Sequence, residues 1–295
     1  MSRRPQRRPA PRLNRKDVFP DPRFRLEIMR QPQHVASGGQ HSHQFHELVL
    51  ILGGRAQHEV GREVYPIEAG DVFVILGDTT HGYAQTESLS LINILFDPRH
   101  MDLPAADLGS LPGYHALFTV EPGYRAQGWF HNRLRLGVGE LARATQLVGE
   151  IEEELRARRP GYRFVATAHL MRLMAYLSRG HGRADEAPSH AVAQLSEVLG
   201  YLERHYAEPL SVRDLTGVAH MSQTSLMRAF RRVLGRPPVD YLIRLRIGKA
   251  QALLRRTDLS VKEIAAETGF GDSNYFARQF RRIAGMSPSA FRTRT

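Results

Sequence analysis

The spacing of apolar residues divides the chain into a strand-like part and helical parts. From Phe24 to about Phe96, apolar residues alternate with polar ones or form short runs separated by glycines. Alternation with a period of two, and short runs bounded by glycine, are typical of β-strands. The strand-like stretches are 48–52, 57–60, 63–67, 71–75 and 90–95. Many short strands with glycine turns predict a small β-barrel or jelly roll that encloses a cavity of ligand size.

After residue 130 the apolar residues recur at intervals of three and four, which indicates helices. The first such stripe consists of Leu134, Leu141, Ala144, Val148, Ile151 and Leu155. A second apolar helix is predicted over about Val165 to Leu177. Two interpretations stay open: the stripe covers the barrel, or it forms an antiparallel dimer seam.

The stretch from Ser260 to Arg292 has the pattern of helix, short turn and helix. Gly269 interrupts the first apolar periodicity, and a second amphipathic run follows. Asp272 is a candidate N-cap because its side chain can accept a backbone N–H, and Gly285 predicts the end of the helix. The exposed face then combines polar hydrogen-bonding residues with arginines, a mixture suited to base edges and phosphates.

The same pattern occurs upstream, over Ser211 to Tyr241. Ser211-Val212-Arg213-Asp214-Leu215 aligns with Ser260-Val261-Lys262-Glu263-Ile264. After the turn the offset grows by one, so that Gly235 aligns with Gly285; one residue is inserted at the turn. Two such motifs, joined by a helical stretch over 242–256, predict two reading helices on one face of DNA, about one helical turn apart.

Composition and charge narrow the class of protein. The chain has no cysteine, which excludes disulfides, thiolate metal sites and a cysteine nucleophile. No run reaches the roughly 18 apolar residues of a membrane span, and no apolar core follows the basic N-terminus, so we expect a cytoplasmic protein without a membrane partner. Residues 190–295 carry 17 basic and 9 acidic residues, which favours a polyanionic partner and salt-dependent binding.

Residues 1–22 combine proline and arginine with almost no apolar residues. Such a segment cannot pack a core and is predicted to be a disordered basic tail. The alternative is an arm that contacts DNA or folds back over the sensor.

The last hundred or so residues resemble the DNA-binding domain of the AraC/XylS family of bacterial transcription regulators. The resemblance rests on the order of the parts: both motifs, the basic connecting helix and the ending GFGDSNYFARQFRRIAGMSPSAFR. Within that family, the Asp272-Ser273-Asn274 opening of the second reading helix is most similar to the rhamnose-operon activators. The resemblance implies an activator that binds double-stranded DNA, responds to a sugar or related metabolite, forms a homodimer and works with RNA polymerase.

Within the strand-like part, His41-x-His43-x3-Glu47 and then His81 resemble the two motifs of cupins. That resemblance implies that the four side chains point into the barrel, where cupins hold a divalent metal. In sensor cupins attached to AraC-type domains the same positions often contact a small ligand, so an inducer pocket, a metal site and a purely structural role all stay open. His46 is expected to face the other way. Further pocket candidates are Arg25, Glu59 and Tyr83, and the sequence departs from the cupin pattern at Leu76, Asp78 and Gln85.

The reading residues are predicted from the exposed faces of the two second helices. They are Gln223, Thr224, Met227 and Arg228 in the first motif, and Asp272, Ser273, Asn274, Tyr275 and Arg278 in the second. Arg228 suits guanine, Asn274 suits adenine, and Asp272 suits either a cytosine amino group or helix capping. Phosphate or surface contacts are expected from Arg231, Arg232, Arg281 and Arg282.

The predicted fold is multidomain, with an N-terminal β-barrel of cupin type plus helices and a C-terminal all-α domain with two helix-turn-helix motifs. The predicted segments are the tail (1–22), the sensor (23–130), a helical dimerisation or packing segment (131–180), a linker (181–189) and the DNA-binding domain (190–295, motifs at 211–235 and 260–285). We expect a regulator that is not an enzyme and needs no cofactor, although a divalent metal in the barrel stays open. The alternatives are a metal-dependent cupin enzyme with an accessory DNA domain, and a constitutive architectural DNA binder.

Overall fold

The computed structural model describes residues 11–34, 39–101, 103, 107–125, 134–181 and 190–294. The chain divides into two compact units, Met1–Val192 and Ala193–Thr295. Of the predicted linker, only His181 lies within the described residues, and its side chain is buried.

The first unit is built around one antiparallel sheet. Its strands, with two short ones that form a separate pair, are β1 (Arg12–Leu13), β2 (Leu26–Gln31), β3 (Ser42–His43), β4 (His46–Val60), β5 (Glu63–Glu68), β6 (Asp71–Ile75), β7 (His81–Phe96) and β8 (Leu134–Arg135). The sheet order is β2-β7-β4-β6-β8, β5 also pairs with β4, and β1 pairs in parallel with β3. The predicted cupin-like, sheet-rich fold is confirmed.

Both faces of the sheet are buried, which explains the continuous apolar run at the start of β4. Leu48 and Leu50 join the core under two long helices, α4 (Val138–Ala157) and α5 (Tyr162–Gly180). Val49 and Ile51 point to the opposite side, into a second core inside the folded sheet. Ala144, Val148 and Ile151 of the predicted stripe lie on α4 in the first of these cores, so this part of the stripe covers the sheet within one chain. Leu134, predicted as the first residue of the stripe, belongs to β8 instead.

The connection between the sheet and α4 contains more regular structure than the sequence indicated. It holds the short helices α2 (Pro112–His115) and α3 (Glu121–Arg125), with a π-helical turn at Ala116–Val120 between them. Leu117 and Val120 are fully buried there. The segment predicted as helical from residue 131 also begins with strand β8, which pairs with β6.

Residues 11–22 are ordered in the structure, so the prediction of a disordered tail is wrong for this part; residues 1–10 lie outside the described residues. The segment contains β1 and the single-turn helix α1 (Arg15–Val18). Phe19 is buried against Phe45, with ring centroids 5.2 Å apart. Arg15 approaches the buried carboxylate of Asp97 at 3.3 Å. The segment folds back over the sensor domain, as one alternative had it.

The second unit is all helical. Its helices are α6 (His190–His205), α7 (Val212–Ala219), α8 (Gln223–Leu234), α9 (Pro238–Arg256), α10 (Val261–Glu267), α11 (Ser273–Ala284) and α12 (Pro288–Arg294). Helices α7 and α8 form the first helix-turn-helix motif, α10 and α11 form the second, and α9 connects them. The predicted all-α domain with two motifs is confirmed.

Capping residues set the boundaries of these helices at matching positions in both motifs. Ser211 and Ser260 are the N-caps of α7 and α10 and form capping boxes. In each box the serine side chain accepts from the backbone N–H three positions later, and the acidic side chain at that position accepts from the serine N–H. Gly235 and Gly285 end α8 and α11 in the left-handed conformation, at φ 68° and 76°. The repeat found in the sequence is therefore a repeat of local structure.

Candidate DNA interface and candidate ligand site

The first reading helix, α8, buries one side and exposes the other. Leu226 and Phe230 are fully buried, which fixes the rotation of the helix. The six residues predicted to read bases or contact phosphate in this motif line a single surface depression: Gln223, Thr224, Met227, Arg228, Arg231 and Arg232. The structure thus brings together the whole predicted set of the first motif.

The second reading helix, α11, has the same arrangement, with Phe276 and Phe280 fully buried. All five predicted reading residues of this motif are exposed: Asp272, Ser273, Asn274, Tyr275 and Arg278. The guanidinium of Arg278 lies 5.8 Å from the centroid of the Tyr275 ring, a cation–π contact that pre-orients both side chains.

Asp272 has a definite structural role. Its Oδ1 accepts a hydrogen bond from the backbone N–H of Tyr275 at 2.5 Å, so Asp272 is the N-cap of α11. Ser222 caps α8 in the same way through the N–H of Ser225. Of the two roles that the sequence allowed for Asp272, capping is the one that the structure shows.

Arg282 has polar partners within its own domain. Its guanidinium donates to Asp240 on α9 at 2.9 Å and to Gln279 on its own helix at 2.9 Å. Asp240 also accepts from Arg244 at 2.9 Å. Burial alone would raise the pKa of Asp240, but these two hydrogen bonds outweigh it and lower the pKa below its ordinary value. Arg282 is therefore an ion-pair partner of Asp240, and its predicted phosphate contact stays a prediction.

In the first unit, the predicted cupin-type residues converge on one point inside the sheet. The candidate ligand atoms of His41, His43, Glu47 and His81 all lie within 4.8 Å of one another. Glu47 Oε2 is 2.8 Å from Nε2 of His43 and 3.5 Å from Nε2 of His81. The last three side chains are buried and His41 is half-buried.

Two hydrogen-bond acceptors flank the ring of His43. Its Nδ1 lies 2.8 Å from the carbonyl oxygen of Phe45, and its Nε2 lies 2.8 Å from the Glu47 carboxylate. The contact between Nε2 and the carboxylate therefore needs a proton or a metal cation between the two atoms. Burial would raise the pKa of Glu47, but hydrogen bonds from His43 and His81 lower it far below its usual range. Burial and the neighbouring His81 lower the pKa of His41 to about 4.

These residues fit a divalent metal by their donor chemistry. Backbone carbonyls of Phe45 and Thr79 face Nδ1 of His43 and His81, at 2.8 and 3.2 Å, which directs both Nε2 atoms inward. Three imidazoles and one carboxylate are a ligand set suited to iron, manganese, zinc or nickel. A bound metal would present a Lewis-acidic centre to a ligand in the barrel. The four side chains can therefore serve a hydroxylated ligand directly or through a metal.

Three other sequence candidates occupy different places. Arg25 donates to Asp97 at 2.9 Å in the cluster that holds the N-terminal segment, away from the ligand cluster. Glu59 alternates with the buried His58 along β4 and points to the opposite face. His46 contacts its strand neighbour Phe96 at a centroid distance of 5.7 Å, outside the ligand cluster.

Sequence reasoning missed two buried groups beside the cluster. His58 packs its ring 4.9 Å from that of Phe73, and the guanidinium of Arg125 lies 4.5 Å from the same phenyl centroid. Arg125 is paired with Glu121 at 2.9 Å, and both are buried. His58 could have been noticed as a polar residue within a strand pattern. Arg125 gave no such signal, because it lies in a segment that the sequence indicated only as a connection.

Family models match both units. Residues 22–174 match the AraC-like ligand binding domain, and residues 215–294 match a helix-turn-helix domain. The chain belongs to the AraC family of transcription regulators. Among AraC family members, the HTH-type transcriptional activator RhaR of Escherichia coli K12 is 31% identical over 264 residues, covering 89% of each chain. RhaR of Shigella dysenteriae is 32% identical over 262 residues, covering 88% of each.

A solved structure similar to this AraC family chain is the DNA-binding domain of AdpA in complex with a target DNA. It is 37% identical, covers 34% of this chain and 91% of its own, and has a TM-score of 0.34. The relatives are transcription regulators and not enzymes. In the part of the chain that the structure describes, none of the helices is long and apolar enough to span a membrane.

Proposed function

We propose that this AraC family protein activates transcription by reading two adjacent DNA sites, and that a small molecule in its N-terminal domain, a sugar or related metabolite, controls this activity. The observation that carries the proposal is the pair of capped helices α8 and α11. Each exposes a set of polar and cationic residues opposite a buried aromatic core. The relatives named as activators support the direction of regulation.

The exposed sets suit direct reading in the major groove. The fork of Arg228 matches O6 and N7 of guanine, and the amide of Asn274 matches N6 and N7 of adenine. Arg231 stands three positions after Arg228, and Arg281 stands seven positions after Asn274; both would contact phosphates. Arg232 shares the surface depression of the first motif and stays a proposed phosphate contact.

The His41, His43, Glu47 and His81 cluster is the proposed site of the small molecule. Ligand binding controls DNA affinity only if the ligand binds one arrangement of the protein more tightly than another. The favoured arrangement then holds the reading helices ready for promoter DNA. The similarity to RhaR favours a sugar as the ligand.

Three further proposals follow from the regulatory role. A homodimer would bind repeated half-sites, RNA polymerase would be the partner of an activator, and the cytoplasm would be the compartment of both. Light scattering of the full chain tests the first: a mass of twice 33.4 kDa supports a dimer, and a monomer at all concentrations contradicts it.

The proposal is tested by fluorescence anisotropy with DNA from upstream of the neighbouring genes, with and without L-rhamnose and related sugars. We expect salt-dependent, sequence-specific binding that tightens with one sugar, and stimulated transcription with purified RNA polymerase. Binding that is indifferent to sequence and to every sugar would indicate an architectural DNA binder instead.

Elemental analysis of the purified protein decides how the cluster works. One equivalent of a transition metal, lost together with sugar binding in the Glu47→Gln variant, would show a metal-mediated contact. Sugar binding by metal-free protein would show that the side chains contact the ligand directly.

A further inference from the structure

A second polar row crosses the sheet next to the ligand cluster. His58 on β4 pairs with Tyr65 on β5 and with Tyr83 on β7. Residues that are paired across strands point to the same face of a sheet, so these three side chains form one row. His81 precedes Tyr83 by two positions and therefore lies on the same face in the next row. The ring centroids of His58 and His81 are 6.0 Å apart, so the row adjoins the cluster.

Two polar atoms in this row have no hydrogen-bond partner among the described residues. They are Nε2 of His58 and the hydroxyl of Tyr83. The His58 side chain is 1% exposed and that of Tyr83 is 8% exposed, so bulk water does not satisfy them. Nε2 of His81 lies beside them, with Glu47 Oε2 3.5 Å away. An unpaired buried polar group is costly, so each one calls for an explanation such as a bound ligand, ion or water.

The charged side chains described near the row already have polar partners. Arg125, which contacts Phe73 in this interior, is paired with Glu121 at 2.9 Å. Glu47 faces His43 at 2.8 Å. An anionic ligand would add a buried charge without a partner, which is costly.

The apolar surroundings limit the ligand in a second way. Val49, Phe73 and Leu91 belong to the core that includes the Tyr83 ring. A ligand in contact with this row would meet apolar walls as well as the two unpaired polar atoms of His58 and Tyr83. A ring with hydroxyl groups on its edge and C–H groups on its faces matches both features.

We propose that His58 and Tyr83 form a second half of the ligand site and bind hydroxyl groups of a neutral monosaccharide, next to the contact made by His81. This inference rests on the proposed function, because it names further specificity residues of the same site. In it His58 and Tyr83 distinguish neutral sugars from sugar acids, whereas the cluster around Glu47 holds the other end of the ligand.

The test is calorimetric titration of the full chain with a panel of L-rhamnose, L-fucose, D-galactose and D-galacturonate. D-galactose and D-galacturonate form a matched pair, because they differ at the carbon that carries either a hydroxyl or a carboxylate. Tyr83→Phe removes only the hydroxyl, and His58→Phe keeps an aromatic ring against Phe73. Glu59→Gln is the control, since Glu59 lies between the same elements but points to the opposite face.

We expect the wild-type chain to bind at least one neutral sugar and to bind D-galacturonate at least tenfold more weakly than D-galactose. Tyr83→Phe and His58→Phe should each weaken binding of the bound neutral sugar about threefold to tenfold, the size of one lost hydrogen bond. Glu59→Gln should bind like the wild type. Without sugar, Tyr83→Phe should melt no lower than the wild type, because it removes a buried hydroxyl without a described partner.

Equal sugar affinity of the wild type and both variants would overturn the role of this row, and so would a lower melting temperature of Tyr83→Phe with unchanged affinity. Binding of D-galacturonate alone, or of no neutral sugar, would overturn the ligand class. None of these results touches the DNA-binding proposal, which fails only if the full chain does not recognise a specific sequence.

Discussion

The guanidinium of Arg282 lies 2.9 Å from the carboxylate of Asp240, 42 positions earlier in the chain. Asp240 stands in the first turn of α9, just after the end of the first motif, and Arg282 stands in the last turn of α11, in the second motif. This ion pair therefore links the second DNA-reading motif to the helix that connects the two motifs. Arg282, which the sequence predicts as a phosphate or surface contact, has an ion-pair partner within the domain.

The coupling between Asp240 and Arg282 is measurable by a double-mutant cycle. We expect Asp240→Ala and Arg282→Ala to show an interaction free energy of about 0.5 kcal/mol in urea unfolding, small because the pair is partly exposed. Arg281→Ala is the matched control, since the Arg281 side chain is exposed beside it. It should show no coupling with Asp240→Ala, and equal coupling of both arginines would contradict the assigned contact.

Arg228 and Asn274 should each specify one position of the operator. We expect Arg228→Ala and Asn274→Ala to lose about 1–3 kcal/mol of discrimination at a single base pair, at different places in the site. Arg281→Ala should instead weaken binding to all sequences and reduce the slope of log affinity against log salt by about one. Affinity measurements on a library of single base-pair substitutions provide the test. A uniform loss for Arg228→Ala would assign it to phosphate.

Gly269 should tolerate no side chain. Its φ is 80°, and a Cβ there would lie 2.7 Å from the backbone oxygen of Ala207, in the segment that follows α6. Gly285 has φ 76° but no atom within 4 Å of such a Cβ. We therefore expect Gly269→Ala to lower the free energy of unfolding by about 2–4 kcal/mol and Gly285→Ala by only about 1 kcal/mol, measured by denaturant titration. Equal losses of stability in the two variants would show that the backbone at Ala207 shifts easily to accommodate the added Cβ.

The buried carboxylate of Asp97 should make the sensor unit sensitive to acid. Burial alone would raise its pKa, but hydrogen bonds from Arg99 and Arg25 lower it from 3.8 to about 2. A lowered pKa in the folded state stabilises the protein above the unfolded pKa, and this stability disappears as the pH falls from about 4 to about 2. At pH 7, Asp97→Asn should lower the free energy of unfolding by about 2–3 kcal/mol.

The same variant should also flatten the dependence of stability on pH in that window. Chemical unfolding at a series of pH values measures both effects. Asp78→Asn is a suitable control, because Asp78 pairs with Arg12 at the surface, where both side chains are mostly exposed. An unchanged acid profile in Asp97→Asn would assign the sensitivity to another carboxylate.

The DNA-binding half was predictable because its determinants are local. Each motif contains its own signals: a capping residue, a glycine at the helix end and apolar residues at helical spacing. The apolar residues are Leu226 and Phe230 in the first motif and Phe276 and Phe280 in the second. The duplication then showed the same signals twice. The cupin-type cluster was also predictable, since the spacing of its four residues matches a known motif.

The features that the sequence did not reveal depend on contacts between distant residues. Residues 11–22 are folded because Phe19 packs against Phe45 and Arg15 pairs with Asp97. Neither partner is indicated by a local pattern in the sequence. The row of His58 and Tyr83 exists only through the strand register, 25 positions apart.

The departures from the cupin pattern show the opposite case, in which a local rule is satisfied by an unusual residue. Asp78 and Gln85 stand where the pattern has glycine and asparagine, and both adopt positive φ, 68° and 49°. Glycine and asparagine favour this conformation, but surrounding structure imposes it here on other residues.

The central claim is that α8 and α11 read two adjacent major-groove segments of one site. Selection of bound sequences from a random DNA library by the full chain, followed by footprinting on the selected site, tests it most directly. Two conserved base clusters about 10 base pairs apart, with Arg228→Ala relaxing one cluster and Asn274→Ala relaxing the other, are the predicted result. A single cluster affected by both variants, or no enriched sequence at all, would contradict it.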